Sequence, residues 1–197
     1  MKNVSSSCAT SASFVFSLTL LSRAACGVVL VLGASACQGK TAPSRQATPQ
    51  DARALVQQFL KPDADHAALT QQLQPTKADY QAIFQTQEMA DKAAAMYEPL
   101  WRSKDAVIKP KPGQTELLLS AGTSEEIKSW TGTAAQEFPG GYRQAGPLLK
   151  PGLTLYAFKF VEPGKRLGMA FDGLVHVNGR FVFAPKLWRL ARWAQPR

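Results

Sequence analysis

The chain has 197 residues, of which 45% are hydrophobic and 19% are charged, and its formal net charge at pH 7 is +9. This composition excludes a disordered chain, because disordered chains contain few apolar residues. The length suits one globular domain with an attached segment rather than several domains.

The N-terminal segment has the layout of an export signal. A weakly basic start, which ends at Arg23, precedes the apolar run "AACGVVLVLGASA". That run is too short to span a bilayer, since a spanning helix needs about 20 apolar residues. We therefore expect residues 1–36 to be a cleaved signal peptide that takes no part in the fold.

The end of the apolar run carries a processing motif. Ala34, Ser35 and Ala36 directly precede Cys37. This pattern resembles the lipobox of bacterial lipoproteins, in which the cysteine is diacylated and becomes the first residue of the mature chain. The resemblance implies a lipid anchor on Cys37, and Gln38 in the next position implies the outer membrane of a Gram-negative cell envelope. The family usually has Leu where Ala34 stands, so an ordinary secretory signal cut after Ala36 stays open.

Cysteine usage fits the processing hypothesis. The three cysteines, Cys8, Cys26 and Cys37, all lie near the N-terminus. A mature chain that begins at Cys37 has one cysteine and forms no internal disulfide, and acylation would consume that thiol. Residues 37–47 are polar and contain proline, which predicts a lipidated cysteine followed by a flexible tether.

Four helical patterns follow the tether. In "TPQDARALVQQFL", Thr48 is placed as an N-cap and Pro49 as the first helical residue. "ADHAALTQQLQ" continues the helical pattern, and Thr76 with Asp79 predicts a capping box at the start of "TKADYQAIF". A longer helix is predicted in "TQEMADKAAAMYEPLW", where Pro99 should end or kink it.

The second half changes to the period of strands. We predict a short strand around 116–120, a short helix with a capping box from Thr123 to Glu126, and a loop at "EFPGGYRQAG". Three more strands follow, joined by the turns "EPGK" and Asn178–Gly179. Gly173 lies inside the longest strand, where glycine often marks a bulge.

This element order predicts an α+β fold. We expect N-terminal helices packed on a bent antiparallel β-meander, in a single domain over 48–192 with a tail over 193–197. The order is similar to that of the nuclear-transport-factor-2-like and cystatin-like classes, which include binders, enzymes and interaction modules and so imply no single activity. The segments "KPGLTLYAFKFVEPG" and "DGLVHVNGRFVFAPKLWR" resemble a bacterial lipoprotein domain of unassigned activity.

Asp172 and His176 are the candidate catalytic pair. In an unbroken strand they would share one face at a separation of about 13 Å, close enough to line one pocket but too far for a hydrogen bond. A bulge at Gly173 would put them on opposite faces. The alternative is that both are polar strand residues without a catalytic role. No Cys or His pair has metal-ligand spacing and no glycine loop suits phosphate, so we expect neither a metal nor a cofactor.

Aromatic residues supply the ligand-binding candidates. A bent sheet covered by helices can enclose a cavity lined by alternating aromatic side chains. The candidates on this hypothesis are Tyr80, Tyr156, Phe171 and Trp188. A filled core made of the same residues is the alternative.

The C-terminal half is strongly basic. From Arg143 to Arg197 the chain has ten basic and two acidic residues, and it ends in "KLWRLARWAQPR". Arg189, Arg192 and Arg197 would form a basic surface suited to anionic lipid or lipopolysaccharide, while an exported protein has little access to nucleic acid. We therefore expect an exported, membrane-tethered module that binds a ligand, a membrane surface or an envelope protein without catalysis. A pocket enzyme using Asp172 and His176 is the alternative.

Overall fold

The computed structural model describes residues 47–103 and 107–194, with side chains described as far as Arg192. The predicted signal peptide, Cys37 and Arg197 lie outside the described residues. Within the described ranges, no helix combines the length and the apolar character that a bilayer crossing requires.

A four-stranded antiparallel sheet organises the described chain. Each strand pairs with its neighbour in sequence, so the spatial order follows the chain order. The strands are β1 (Glu116–Thr123), β2 (Thr154–Val161), β3 (Gly168–Val177) and β4 (Arg180–Phe183). Helices precede this sheet, so the predicted α+β class is confirmed.

Helices occupy both the N-terminal part and the connection between the first two strands. Four precede the sheet: α1 (Pro49–Gln57), α2 (His66–Gln71), α3 (Lys77–Ile83) and α4 (Gln87–Ser103). Three lie between β1 and β2: α5 (Ser124–Ser129), α6 (Gly132–Glu137) and α7 (Tyr142–Ala145). The described chain ends with a 3₁₀ helix (Leu187–Leu190) and α8 (Ala191–Ala194); two further 3₁₀ helices are Gln58–Leu60 and Gly146–Leu148.

Capping boxes begin three of these helices. In each box a threonine hydroxyl accepts from a backbone N–H three residues on, and the acidic side chain at that position accepts from the threonine N–H. The three boxes are Thr48 with Asp51, Thr76 with Asp79 and Thr123 with Glu126. The last two were predicted as boxes from the sequence, whereas Thr48 was predicted only as an N-cap.

Helix α4 continues beyond its proline. Pro99 was predicted to end or kink the helix; since α4 runs to Ser103, Pro99 does not end it. The proline removes the N–H that would bond to the carbonyl of Ala95, but both residues are exposed and water can satisfy that carbonyl. Buried Tyr97 and Trp101 hold the C-terminal half of the helix on the core.

The segment "EFPGGYRQAG" is only partly a loop. It contains α7, whose residue Tyr142 is fully buried. The hydroxyl of Tyr142 donates to Asp172 Oδ1 at 2.9 Å, a contact across 30 positions of sequence. The loop prediction missed this helix because a distant contact, and not the local pattern, holds it in place.

A bulge interrupts the pairing of β2 with β3. Tyr156 and Ala157 are adjacent in β2, yet they pair with Leu174 and Asp172, which leaves Gly173 as an extra residue. The φ angle of Gly173 is +86°, which favours glycine. Because side chains alternate between faces, the extra residue moves everything on its N-terminal side to the other face of the sheet.

The turn between β3 and β4 is the one the sequence indicates. Val177 pairs with Arg180, which leaves Asn178 and Gly179 as the two turn residues. Both have positive φ angles, 51° and 76°, as a type I′ turn requires. This turn fixes which residues of β4 face those of β3.

One cluster of buried side chains joins the helical and strand halves. It contains Phe59, Ile83 and Tyr97 from the helices together with Phe158 and Leu174 from the sheet. The helices and the strands therefore bury their apolar faces against each other rather than in separate cores.

Candidate functional site

A groove of about 430 Å³ opens between α4, β3 and the segment that follows β4. We call it the α4–β3 groove. Most of its lining is apolar, and the lining residues come from distant parts of the chain. The lining includes Met96, Leu100, Met169, Phe171, Lys186 and Arg189.

Hydrogen bonds fix the walls of this groove. The hydroxyl of Tyr97 donates to the carbonyl of Pro185 at 2.7 Å, which joins α4 to the segment after β4. Burial raises the pKa of Tyr97 well above its ordinary value, so this hydroxyl remains a donor. The ring of Tyr97 also stacks on Tyr80 at 5.8 Å between centroids. Ile108 also lines the groove, and its N–H donates to Thr70 Oγ1 at 2.9 Å.

Two basic side chains lie in the lining of the same groove. Lys186 and Arg189 are exposed, and neither forms an ion pair with another described residue. Arg192, also exposed, follows Arg189 after one helical turn and lies on the same side. The third predicted arginine, Arg197, is outside the described residues.

Asp172 lines a second cavity, of about 250 Å³, with Ser120, Glu137 and Lys159 among its neighbours. Its Oδ1 accepts from the hydroxyl of Tyr142 at 2.9 Å and from the N–H of Lys186 at 2.8 Å. Burial raises the pKa of Asp172, although these two hydrogen bonds and the charge of Lys186 oppose the change. The carboxyl group thus joins α7 to the segment after β4.

His176 lies apart from Asp172. Its ring meets that of Phe181 at 5.0 Å, and it lines a shallow third cavity beside Asn178 and Gly179. The bulge at Gly173 places the two candidate catalytic residues on opposite faces of β3, which is the second of the two arrangements considered from the sequence. The structure does not bring them together as an acid–base pair.

The four aromatic candidates lie in different places. Tyr80 and Tyr156 are buried in the core, with exposed fractions of 3% and 0%. Trp188 is half-buried, with its ring 5.3 Å from that of Tyr142. Only Phe171 of the four lines the α4–β3 groove, and it also borders the Asp172 cavity.

Sequence reasoning missed several groove residues. Met96, Leu100 and Met169 are not among the candidate site residues, and Lys186 enters the sequence analysis only through the count of basic residues. Their helical or strand spacing is equally compatible with packing, so no local pattern marked them as a site. Their proximity depends on how β3 and the segment after β4 fold back against α4.

Among the described residues, no group of three or more His, Cys, Asp or Glu side chains could hold a metal ion. Comparison of the chain with protein-family models, with curated proteins and with solved structures finds no match. Function is therefore inferred from the residues of the site.

Proposed function

We propose that this chain is a lipid-anchored protein of the bacterial cell envelope whose α+β domain binds an anionic partner without catalysis. The observation that carries the proposal is a set of exposed basic side chains in the C-terminal half that form no ion pair with another described residue. The set is Arg143, Lys150, Lys165, Lys186, Arg189 and Arg192.

Such cations favour an anionic surface. Each basic residue close to a membrane of anionic lipid contributes about 1 kcal/mol to binding, and salt screens this contribution. A lipid anchor on Cys37 would hold the domain near that surface and raise its effective concentration there. Anionic lipid and lipopolysaccharide both supply the required charge.

A non-catalytic role agrees with the arrangement of the polar groups. One oxygen of Asp172 accepts from the Tyr142 hydroxyl and from the Lys186 N–H, and His176 lines a different cavity. The raised pKa of Asp172 beside a cavity is the one observation in favour of a pocket enzyme. Turnover that disappears in Asp172→Asn while the melting temperature holds would favour that alternative.

The lipid anchor leads to the first prediction. We expect Cys37→Ser to abolish maturation of the precursor and to remove the domain from the detergent-soluble membrane fraction, because serine offers no thiol for acylation. Cell fractionation and immunoblotting measure both effects. Cys26→Ser serves as the control and should mature normally. A Cys37→Ser protein that matures and partitions like the wild type would contradict the anchor.

The basic surface leads to the second prediction. Replacing Arg189, Arg192 and Arg197 together by serine should weaken binding to anionic vesicles at low salt by roughly 100-fold, because three charges of about 1 kcal/mol each are lost. Vesicle co-sedimentation measures this on the mature chain, residues 37–197, expressed without the signal peptide and carrying Cys37→Ser.

The control variant removes the same charge elsewhere. Lys61, Lys109 and Lys111 are exposed, and their joint replacement by serine should weaken binding far less. Equal losses in the two triple variants would show that net charge alone drives binding. Binding by the arginine variant that persists at high salt would remove the electrostatic explanation.

A further inference from the structure

We infer that the α4–β3 groove binds a free anionic amphiphile, with its apolar walls around a single acyl chain and its two cations on the acidic group. This inference deepens the proposed function, on which it rests, by naming the chemical class of a ligand. It concerns a soluble molecule in a groove, and is separable from binding of the domain to a membrane surface.

The walls of the groove suit a flexible chain. Its volume of about 430 Å³ lies within the usual range of small-molecule sites, which is roughly 300–1,000 Å³. Met96 from α4 and Met169 from β3 both line it, and methionine side chains adapt to irregular apolar partners. Val107 in the same lining is 38% exposed, which leaves an apolar surface that a ligand would cover.

The cations narrow the ligand class. Lys186 and Arg189 line the groove, and neither has an ion-pair partner among the described residues. A neutral apolar ligand would form no ion pair with either cation, whereas a carboxylate or phosphate would meet two cations beside apolar walls that strengthen the attraction. A molecule with both an acyl chain and an anionic group uses the whole lining.

The groove is formed before any ligand arrives. The bonds from Tyr97 to Pro185, from Ile108 to Thr70 and from Lys186 to Asp172 hold three parts of its wall. Binding therefore requires little ordering of the protein, and ordering is one of the main costs of association.

Isothermal titration calorimetry tests the inference on the mature chain, residues 37–197, expressed without the signal peptide and carrying Cys37→Ser. The probes are octanoate, decanoate and dodecanoate below their micellar concentrations, with dodecanol as the uncharged control. Each added methylene should tighten the Kd about fourfold. Dodecanoate should bind at least tenfold more tightly than dodecanol. A Kd that does not depend on chain length, or equal binding of acid and alcohol, would overturn the inference.

Variants test separately whether the apolar walls bind the acyl chain and whether the two cations bind the acidic group. Met169→Trp should fill the groove and weaken dodecanoate binding at least tenfold; Met96→Trp replaces it if the first variant does not fold. The double variant Lys186→Gln with Arg189→Gln should bring the acid and the alcohol to the same Kd. The control is the double variant Lys61→Gln with Lys111→Gln, which removes the same charge from exposed positions outside the groove lining. It should still bind the acid more tightly than the alcohol. An unchanged Kd in the folded tryptophan variant would overturn the inference.

Photo-crosslinking locates the ligand without any groove variant. Dodecanoate with a terminal diazirine should label the peptides that contain Met96 or Met169, and labelling confined to other peptides would overturn the inference. Vesicle binding that depends on the arginines, without binding of dodecanoate, would overturn the groove site and leave the proposed function standing. If the protein binds neither anionic vesicles nor dodecanoate, the groove site and the proposed function are both overturned.

Discussion

Replacing Gly173 by alanine should lower the free energy of unfolding by about 3 kcal/mol or more. Two effects combine at this bulge. The φ angle of +86° disfavours any residue with a Cβ, and a Cβ here would lie 2.1 Å from the carbonyl oxygen of Ala184. That oxygen belongs to backbone that is itself fixed, because the N–H of Ala184 donates to the carbonyl of Gly173 at 2.9 Å. Urea denaturation measures the change.

Gly179→Ala is the matched control for this prediction. Its φ angle is similar, +76°, but no atom lies within 4 Å of a Cβ built there. We expect it to cost only the backbone strain, about 1 kcal/mol. If the two alanine variants were equally stable, the close approach of β3 to the segment after β4 would be wrong.

Replacing Asp79 by alanine is the second change with a large expected effect, about 3 kcal/mol of destabilisation. Asp79 is 2% exposed, and its carboxylate joins the start of α3 to the β3–β4 hairpin. One oxygen accepts from the Thr76 N–H and from Arg180 at 2.8 Å each, and the other accepts from Asn178 at 2.9 Å. Thermal and urea denaturation measure the loss.

Asp51→Ala provides the comparison. Asp51 completes the same kind of capping box at the start of α1 but is exposed. Its loss should cost about 1 kcal/mol, the usual net value of a hydrogen bond. The difference between the two variants then measures the link to the hairpin. Equal losses would show that Asp79 acts only as a cap.

Asp79 also makes the free energy of unfolding depend on pH. Burial acts to raise the pKa of Asp79, but the hydrogen bonds from Thr76 and Asn178 and the charge of Arg180 together lower it below its ordinary value. The folded state therefore binds this proton less readily than the unfolded state. The stabilisation is present above the ordinary aspartate pKa and is lost as the pH falls through the lowered one. In Asp79→Asn we expect this contribution to the acid-induced loss to be absent.

Local signals predicted much of the fold. The N-cap at Thr48, the capping boxes at Thr76 and Thr123 and the Asn178–Gly179 turn depend on hydrogen bonds or φ angles within a few residues, so the sequence displays them directly. Helix α7 was missed because Tyr142 is held by Asp172, which is far away in sequence. Strand β1 extends to Thr123, beyond the predicted 116–120, because β2 pairs with it along its whole length.

The candidate site was less predictable than the fold. Asp172 and His176 are four residues apart, yet one extra residue at Gly173 decides whether they share a face. The α4–β3 groove combines residues from positions 96 to 189. Its two cations suggest a binding site only because apolar side chains line the groove beside them. Such a combination follows from tertiary packing, which no window of sequence displays.

The outer edge of β4 is covered by the segment 72–74, which affects whether a peptide could add a strand there. Extended peptides often bind by adding a strand to a sheet edge that has unsatisfied backbone groups. Here the N–H of Phe183 donates to the carbonyl of Leu73 at 2.8 Å, and Arg180 donates to the carbonyls of Gln72 and Gln74. An incoming strand would have to displace this segment, so the edge is protected against strand exchange and against edge-to-edge aggregation of unanchored copies.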